Sequence, residues 1–363
     1  MSSRLNHPGV TAVVTAVCIF IFLVLTLNQH DPGTFPQAGE IFTNTTITPG
    51  NIIAVTEFTG YDGQFYYRLA LDPFTREQTD FGIQIDSPRY RHQRILYPLL
   101  AWIGSFGSPP LVADALILVN FLALIWLGYS AGQFAKLAGR HALWGLTFTL
   151  YPGFLLTLSR DLAEIVEAAF VLAGILALQQ KRHTIASAVL SLAILAKETA
   201  LLTAVSFITQ RKIWKVAILP LAVYGLWQLF MNWWWGYVPS SSVSVNIGWP
   251  IWGILRGFRI TNDPQRWLIE VGLLGLFVFI VFVSLHRSKA ELYIKAAFIF
   301  YFALLLVLTE NIWLEDWAFL RAAALGVLFG TAVLLQTKSR IANVCLIGVC
   351  FTWLWLAVNL LTT

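Results

Sequence analysis

The stretch TIASAVLSLAILAKETALLTAVSFITQ, Thr184 to Gln210, decides how this chain is organised. Read as one helix, its 27 residues would span a bilayer with Lys197 and Glu198 buried at the midpoint. Read as two short helices meeting at Lys197-Glu198, each arm has only 12 or 13 residues, below the roughly 20 needed to cross about 30 Å of hydrocarbon. The basic cluster that follows, Arg211, Lys212 and Lys215, separates the two readings. Short cytoplasmic loops collect Lys and Arg. A single crossing puts this cluster on the wrong side, and two arms put it on the right one. The expected structure is therefore a pair of short helices whose charged turn lies below the outer membrane surface or in a wet cavity, since irregular backbone is tolerated at that depth only where it lines a cavity or is buried in protein.

The rest of the chain fits this frame. Of its 363 residues, 57% are hydrophobic and 12% charged, with 15 Trp and 26 Phe, and mean hydropathy is +0.69. A soluble globular protein is about one-quarter charged, so an ordinary cytosolic enzyme is excluded, as are disorder and coiled coil. Besides the two arms, apolar segments run from Val10 to Leu27 and at about 111–135, 142–158, 163–179, 214–233, 267–285, 291–309, 317–335 and 341–361. The count is eleven crossings, two of them short. The first is an uncleaved anchor, with no small-residue cleavage site after it. Arg4, Lys136, Arg140, Lys181, Arg182, Arg211, Lys212, Lys215, Arg287, Lys289, Lys338 and Arg340 then fall on one side, read as cytoplasmic, while of the 19 acidic residues only Glu291 lies near them. The net charge of +5 is positive-inside charge, and no nucleic-acid partner is needed. Cys18, Cys345 and Cys350 all lie in apolar stretches with no metal-ligand spacing. The reading is an all-α polytopic membrane protein forming a single integral-membrane domain (1–363). A large first outer loop (28–110) carries interfacial helices, one of them at Arg94 to Phe106, and a second large outer loop spans 234–266.

The outer loops hold the chemistry. The first contains YDGQFYYRLALDP (Tyr61 to Pro73) and DSPRYRHQRILYPLLAW (Asp86 to Trp102). Asp62 precedes Gly63 and an aromatic run, so a tight turn could present its carboxylate as a general base beside walls of low dielectric; the competing role is a turn carboxylate that only caps the next helix. Arg89, Arg91 and Arg94, interleaved with Tyr90 and His92, suit a phosphate or diphosphate at the interface. Snorkelling to anionic headgroups explains them equally well. In SRDLAEIVEAAF (Ser159 to Phe170), Asp161 and Glu164 share a helix face three residues apart. Asp161 is explained by the helix dipole, whereas Glu164, Glu167, Lys197 and Glu198 lie deeper, where ionisable groups are costly and functional by default. They could pair with one another or bind substrate hydroxyls. The Trp-rich stretch Trp233 to Gly253 reads mainly as an interfacial belt, with sugar or polyprenyl contact as a minor alternative. Arg321, a turn inside the helix after Glu315 and Asp316, wants a carboxylate or a lipid phosphate.

YDGQFYYRLALDP, YRHQRILYPLLAW, YPGFLLTLSRDLAE (Tyr151 to Glu164) and LAKETALL (Leu195 to Leu202) resemble a bacterial integral-membrane family linked to cell-surface glycopolymer formation, within the C-type glycosyltransferase superfamily. The likeness covers roughly residues 10 to 335. It implies transfer of a sugar from a polyprenyl-phosphate donor to a glycan, lipid or protein acceptor on the periplasmic or extracellular face of a bacterial plasma membrane. The base of this superfamily lies in the first outer loop, which maps to Asp62. The Asp62-Gly63 context also resembles the Trp-Asp element of mannosyltransferases that build lipid anchors, with Tyr61 in place of the Trp. The acidic pair that binds metal in oligosaccharyltransferases is not obvious, so metal-independent, cofactor-free chemistry is expected.

The expected enzyme is thus an inverting glycosyltransferase with Asp62 as base. Arg89 and Arg94 stabilise the leaving phosphate, Arg160 and Arg321 add further phosphate contacts, and Tyr90, Asp161, Glu164, Lys197 and Glu198 complete the substrate-binding set. The rival from another class is a transporter or flippase of a lipid-linked or anionic substrate, which Lys197-Glu198 and Glu164 also fit. Against it stand the acid-rich outer loop and the lack of internal repeat symmetry. A third possibility is an inactive scaffold in a polymer-assembly complex.

Overall fold

A computed structural model describes residues 5–50, 52–56, 59–236, 246–314 and 318–362. The expectations that fall on Arg4, on Glu315 and Asp316, and on 237–245 of the Trp-rich stretch lie outside them.

The chain is helical, with two minor strand pairs in its polar first segment, Ala38–Gly39 beside Ala54–Thr56 and Thr79–Asp80 beside Ile83–Gln84. Among the described residues, five helices are long and apolar enough to cross a membrane: Pro8–Leu27, Pro109–Leu137, Trp214–Trp235, Pro264–Ser284 and Arg340–Thr362. The other apolar stretches form shorter pieces. That at 142–158 breaks at Tyr151, whose successor Pro152 opens a new helix, as expected where a residue before proline is pushed out of the helical region.

The first helix, α1 (Pro8–Leu27), is followed in the polar segment by α2 (Gly63–Leu71), α3 (Pro88–His92) and α4 (Leu96–Gly104). Next come α5 (Val112–Leu137), α6 (Leu146–Thr149), α7 (Pro152–Leu158), α8 (Glu164–Gln179), α9 (His183–Ala196), α10 (Leu201–Ser206) and α11 (Ile218–Trp235). Helix α1 lies against α5 where Gly128 and Gly132, four apart, admit Thr15 and Thr11; a Cβ on either glycine would sit 2.7 Å from a threonine hydroxyl. This is the small-residue packing that brings helix backbones together without a solvent-driven hydrophobic effect. Thr11 Oγ1 then donates to the Ala142 carbonyl at 2.8 Å, and Thr15 meets Thr149 at 3.0 Å.

Two interruptions shape the centre. Helix α9 stops at Ala196, and Lys197 is extended (φ −158°, ψ 134°) before a 3-10 turn leads into α10. The stretch is therefore two arms. Fourteen helical residues cover only about 21 Å. Between α7 and α8 the chain turns through Asp161, a non-glycine residue at φ 49°, and α8 opens on Glu164 and Glu167. The two breaks face each other, because Lys197 Nζ lies 2.7 Å from Glu164 Oε1.

The polar segment is no floppy loop. Helix α2 is buried from end to end, packing Tyr66, Tyr67 and Ala70 with Tyr97 and Ala101 of α4, Leu116 of α5 and Leu162 and Val166 beside the α8 break. Gln64 within it is satisfied locally, accepting from Thr43 Oγ1 (2.8 Å) and donating to the Thr59 carbonyl (2.7 Å). Gly63 is required by contact. A Cβ there would lie 2.3 Å from the Arg160 carbonyl oxygen and 2.7 Å from that of Pro36, so the turn holding Asp62 seats directly on the α7–α8 break.

Overpacking a well-filled site costs about 1–3 kcal/mol. Gly63→Ala is accordingly expected to lower the thermal unfolding midpoint of the purified protein in detergent. Gly225→Ala, whose added methyl meets nothing within 4 Å, should leave the midpoint unchanged or slightly higher. Equal midpoints for the two variants would contradict this docking of α2.

Candidate functional site

The docked turn, the α3 segment and the two helix breaks enclose a cavity of about 610 Å³. One wall is charged, carrying Asp62, Asp86, Arg91, Arg94, Glu164, Lys197, Glu198 and Arg321, with Tyr90, Gln93 and Thr199 among them. The rest of the lining is largely apolar: Leu201, Leu202, Leu304, Leu308, Ile312 and Ala318. Asn246 and Ile247 join it because their strand-like stretch pairs with 306–309, through Gly248 N to Val307 O at 2.7 Å and Thr309 N to Asn246 O at 3.1 Å.

The charged wall is one connected network. Asp62 Oδ1 meets Arg91 at 2.7 Å, and Oδ2 meets Arg321 at 3.6 Å. Arg91 turns its other two nitrogens to Asp86, at 2.8 and 2.7 Å. Arg321 reaches on to Glu164 at 3.1 Å, and Glu164 also takes Lys197. Arg94 is bidentate to Glu198 (2.8 and 2.5 Å) and donates to the Tyr90 hydroxyl at 2.5 Å. Such forked pairs fix geometry as well as charge. Burial alone would push the Asp62 carboxyl up, but Arg91, then Arg321 and Arg94, hold it well below the usual carboxylate range. Asp62 is therefore ionised, and its proton affinity is spent on its partners.

Second contacts aim these groups. Tyr61 lies between two guanidinium groups, that of Arg160 at 4.6 Å and that of Arg321 at 4.8 Å from its ring centre, and its hydroxyl accepts from Arg321 Nε at 3.0 Å. Cations over an aromatic face are attracted by its quadrupole. The α3 segment is clamped by α11, where Trp227 Nε1 donates to the Gln93 carbonyl (3.1 Å) and Trp235 Nε1 to His92 Nδ1 (3.0 Å), while Trp234 Nε1 holds the loop after α2 through the Thr75 carbonyl (2.8 Å). Since Nδ1 accepts, the proton of His92 is on Nε2, which donates to the Pro73 carbonyl at 2.9 Å. Trp235, which reads from sequence as part of an interfacial belt, thus joins Trp227 in positioning the arginine segment.

Of the residues expected at the site, Asp62, Tyr90, Arg94, Glu164, Lys197, Glu198 and Arg321 line the cavity. Arg89 does not: it donates to Gln228 at 3.3 Å. In its place stands Arg91, within the helix that Pro88 starts, and it pairs with Asp62 and Asp86 while Arg94, in the turn just after that helix, pairs with Glu198. Arg160 stacks on Tyr61 behind the cavity. Asp161 is fully buried outside the cavity lining, a carboxylate within the α7–α8 turn. Asp86 and Thr199 were not singled out from sequence. Asp86 opens the arginine-bearing stretch but was passed over beside its basic residues, while Thr199 is signalled only by adjacency to Lys197-Glu198. Among the described residues, no three His, Cys, Asp or Glu side chains group to hold a metal ion.

Burial lowers the His92 pKa from 6.5 to about 4. The unfolded chain takes up this proton first, so the stabilisation is complete above pH 6.5 and is lost as pH falls toward 4. Thermal stability should accordingly decline across that window, and less steeply in His92→Asn. An identical slope in both proteins would contradict a neutral, clamped His92. No protein-family model, curated protein or solved structure matches this chain.

Proposed function

We propose that the protein is a membrane glycosyltransferase, moving a sugar from a polyprenyl-phosphate donor to an acceptor hydroxyl in cell-surface glycopolymer assembly, on the non-cytoplasmic face of a bacterial plasma membrane. The observation that carries the reading is one cavity lined both by ion-paired side chains and by leucines. Its volume is within the range of about 300–1,000 Å³ typical of small-molecule sites. Each part of a lipid-phosphate sugar has a counterpart there. The isoprenoid chain suits Leu201, Leu202, Leu304 and Leu308, the phosphate suits Arg91, Arg94 and Arg321, and alternating carboxylates and cations suit sugar hydroxyls, which both donate and accept. The C-type likeness and the eleven-crossing topology belong to this reading. So does the orientation, which rests on the basic turns: Arg140 Nε donates to Leu335 O at 3.0 Å and Lys338 Nζ to Gly139 O at 3.3 Å, gathering two basic loops together.

In the reaction, an acceptor hydroxyl attacks the anomeric carbon with inversion and the lipid phosphate leaves with the electron pair of its C–O bond. Negative charge grows on that phosphate, so cations fixed in a poorly hydrated site favour the transition state over the ground state. Asp62 first serves to order Arg91 and Arg321. The base role expected of it from the sequence would require the donor phosphate to take over those guanidinium groups first. No metal enters this scheme.

The two facing helix breaks also fit a transporter, in which discontinuous helices form the substrate site. The deciding experiment presents purified protein with a panel of radiolabelled polyprenyl-phosphate sugars. The wild type is expected to transfer from one of them, with Asp62→Asn folded but inactive. Arg91→Gln should lose about 10²-fold in rate, whereas Arg89→Gln stays within about threefold, consistent with an effect far smaller than that of an oxyanion donor. Movement of a lipid-linked sugar across liposomes without any transfer would replace the enzyme with the transport reading.

A further inference from the structure

Four of the carboxylates in and around the cavity, Asp62, Asp86, Glu164 and Glu198, are ion-paired. Among the described residues neither Asp161 nor Glu167 is, and the one joined to the cavity, through Thr199, is Glu167. It is 1% exposed, sits one helical turn below Glu164 on the same face of α8, and makes no ion pair among the described residues. Lys197, the cation close enough to act on it, is committed to Glu164. What Glu167 holds instead is a hydroxyl: Thr199 Oγ1 donates to its Oε1.

Thr199 is placed to connect the two. It lines the cavity, and it is fixed from behind because the Tyr301 hydroxyl donates to the Thr199 carbonyl at 2.9 Å while receiving Thr203 Oγ1 at 2.9 Å. A threonine hydroxyl has one proton and two acceptor lone pairs. Here the proton is directed at Glu167, so the lone pairs remain for a donor in the cavity. Asp62 offers the opposite arrangement, with both of its oxygens facing guanidinium groups.

We propose that Glu167 is the general base of the transfer reaction, reached through the Thr199 hydroxyl. The inference rests on the glycosyl-transfer reading and says where its proton goes. As the acceptor oxygen bonds to the anomeric carbon and the C–O bond to phosphate breaks, the acceptor proton passes to Thr199 Oγ1 and the Thr199 proton passes to Glu167 Oε1. The carboxyl returns it by the same hydroxyl to the departing phosphate. Ion-paired Asp62 keeps Arg91 and Arg321 aligned throughout. A base reached through a hydroxyl also stays out of contact with the phosphate, so donor binding and proton removal do not compete for the same groups.

The test is steady-state transfer from the active donor over a range of pH, comparing wild type with Glu167→Gln, Thr199→Val and Thr199→Ser. General-base catalysis contributes about 10²–10⁴-fold. Glu167→Gln and Thr199→Val should therefore each lose about 10²-fold or more in kcat with donor KM little changed, while Thr199→Ser, which keeps the hydroxyl, retains most activity. The acid limb of the wild-type kcat profile should disappear in Glu167→Gln, which a merely structural role would not produce. If Glu167→Gln fails to fold, Thr199→Val against Thr199→Ser decides alone. Wild-type rates in both Glu167→Gln and Thr199→Val, or a loss of rate with an unaltered pH profile, overturn the relay and leave Asp62 as the base. A wild type that transfers from no donor removes the glycosyl-transfer reading itself.

Discussion

The Lys197–Glu164 ion pair, at 2.7 Å between two buried side chains, is the contact on which the rest of the structure depends. Each partner stands where a helix has been interrupted, Lys197 in extended backbone after α9 and Glu164 at the first turn of α8. Taking either charge out of water costs several kcal/mol, and removing one partner of such a pair costs about 3–5 kcal/mol because the other is stranded. The breaks and the pair therefore require each other. An unbroken helix through Lys197 would turn the ammonium away from Glu164, and an unbroken α7–α8 would leave no cavity for either.

Around that pair the charges are arranged as a chain. Lys197, Glu164, Arg321, Asp62, Arg91 and Asp86 each touch the next, with Arg94 and Glu198 closing the same wall. A chain of this kind is rigid while it is fully paired. It is also poised, since an incoming phosphate presents oxyanions to guanidinium groups already aimed and desolvated. The ordering cost is met during folding, which is the physical sense of a preorganised site. The aromatic clamp from α11 and the Tyr61 ring between Arg160 and Arg321 supply the supporting shell.

Much of this was legible in the sequence because charges inside apolar stretches are expensive and therefore informative. Lys197-Glu198 located the break between two short arms through the parity of Arg211, Lys212 and Lys215, and Asp62, Glu164 and Arg321 were recognised one by one as groups in need of partners. What local sequence could not supply was the pairing itself, which joins residues as far apart as 62 and 321. Arg89 and Arg91 show the limit at short range. They differ only in which way a five-residue helix turns them, and that is set by Pro88 and by the docking of Trp235 on His92. Spanning length was the other weak point. Apolar composition marks where chain enters the membrane region, but helices such as Leu292–Leu306 and Ala324–Thr337 are shorter than the apolar stretches read there.

The central claim is that the ion-pair wall receives the phosphate of a lipid-linked sugar while the leucine lining receives its chain. A structure of the protein with a polyprenyl-phosphate sugar bound tests it most directly. The account predicts the phosphate within hydrogen-bond distance of Arg91, Arg94 or Arg321 and the first isoprene units against Leu201, Leu202 and Leu304. Lipid seated instead in the apolar groove beside Leu273, Phe277 and Trp355, with the Asp62–Arg91 contact undisturbed, would contradict it.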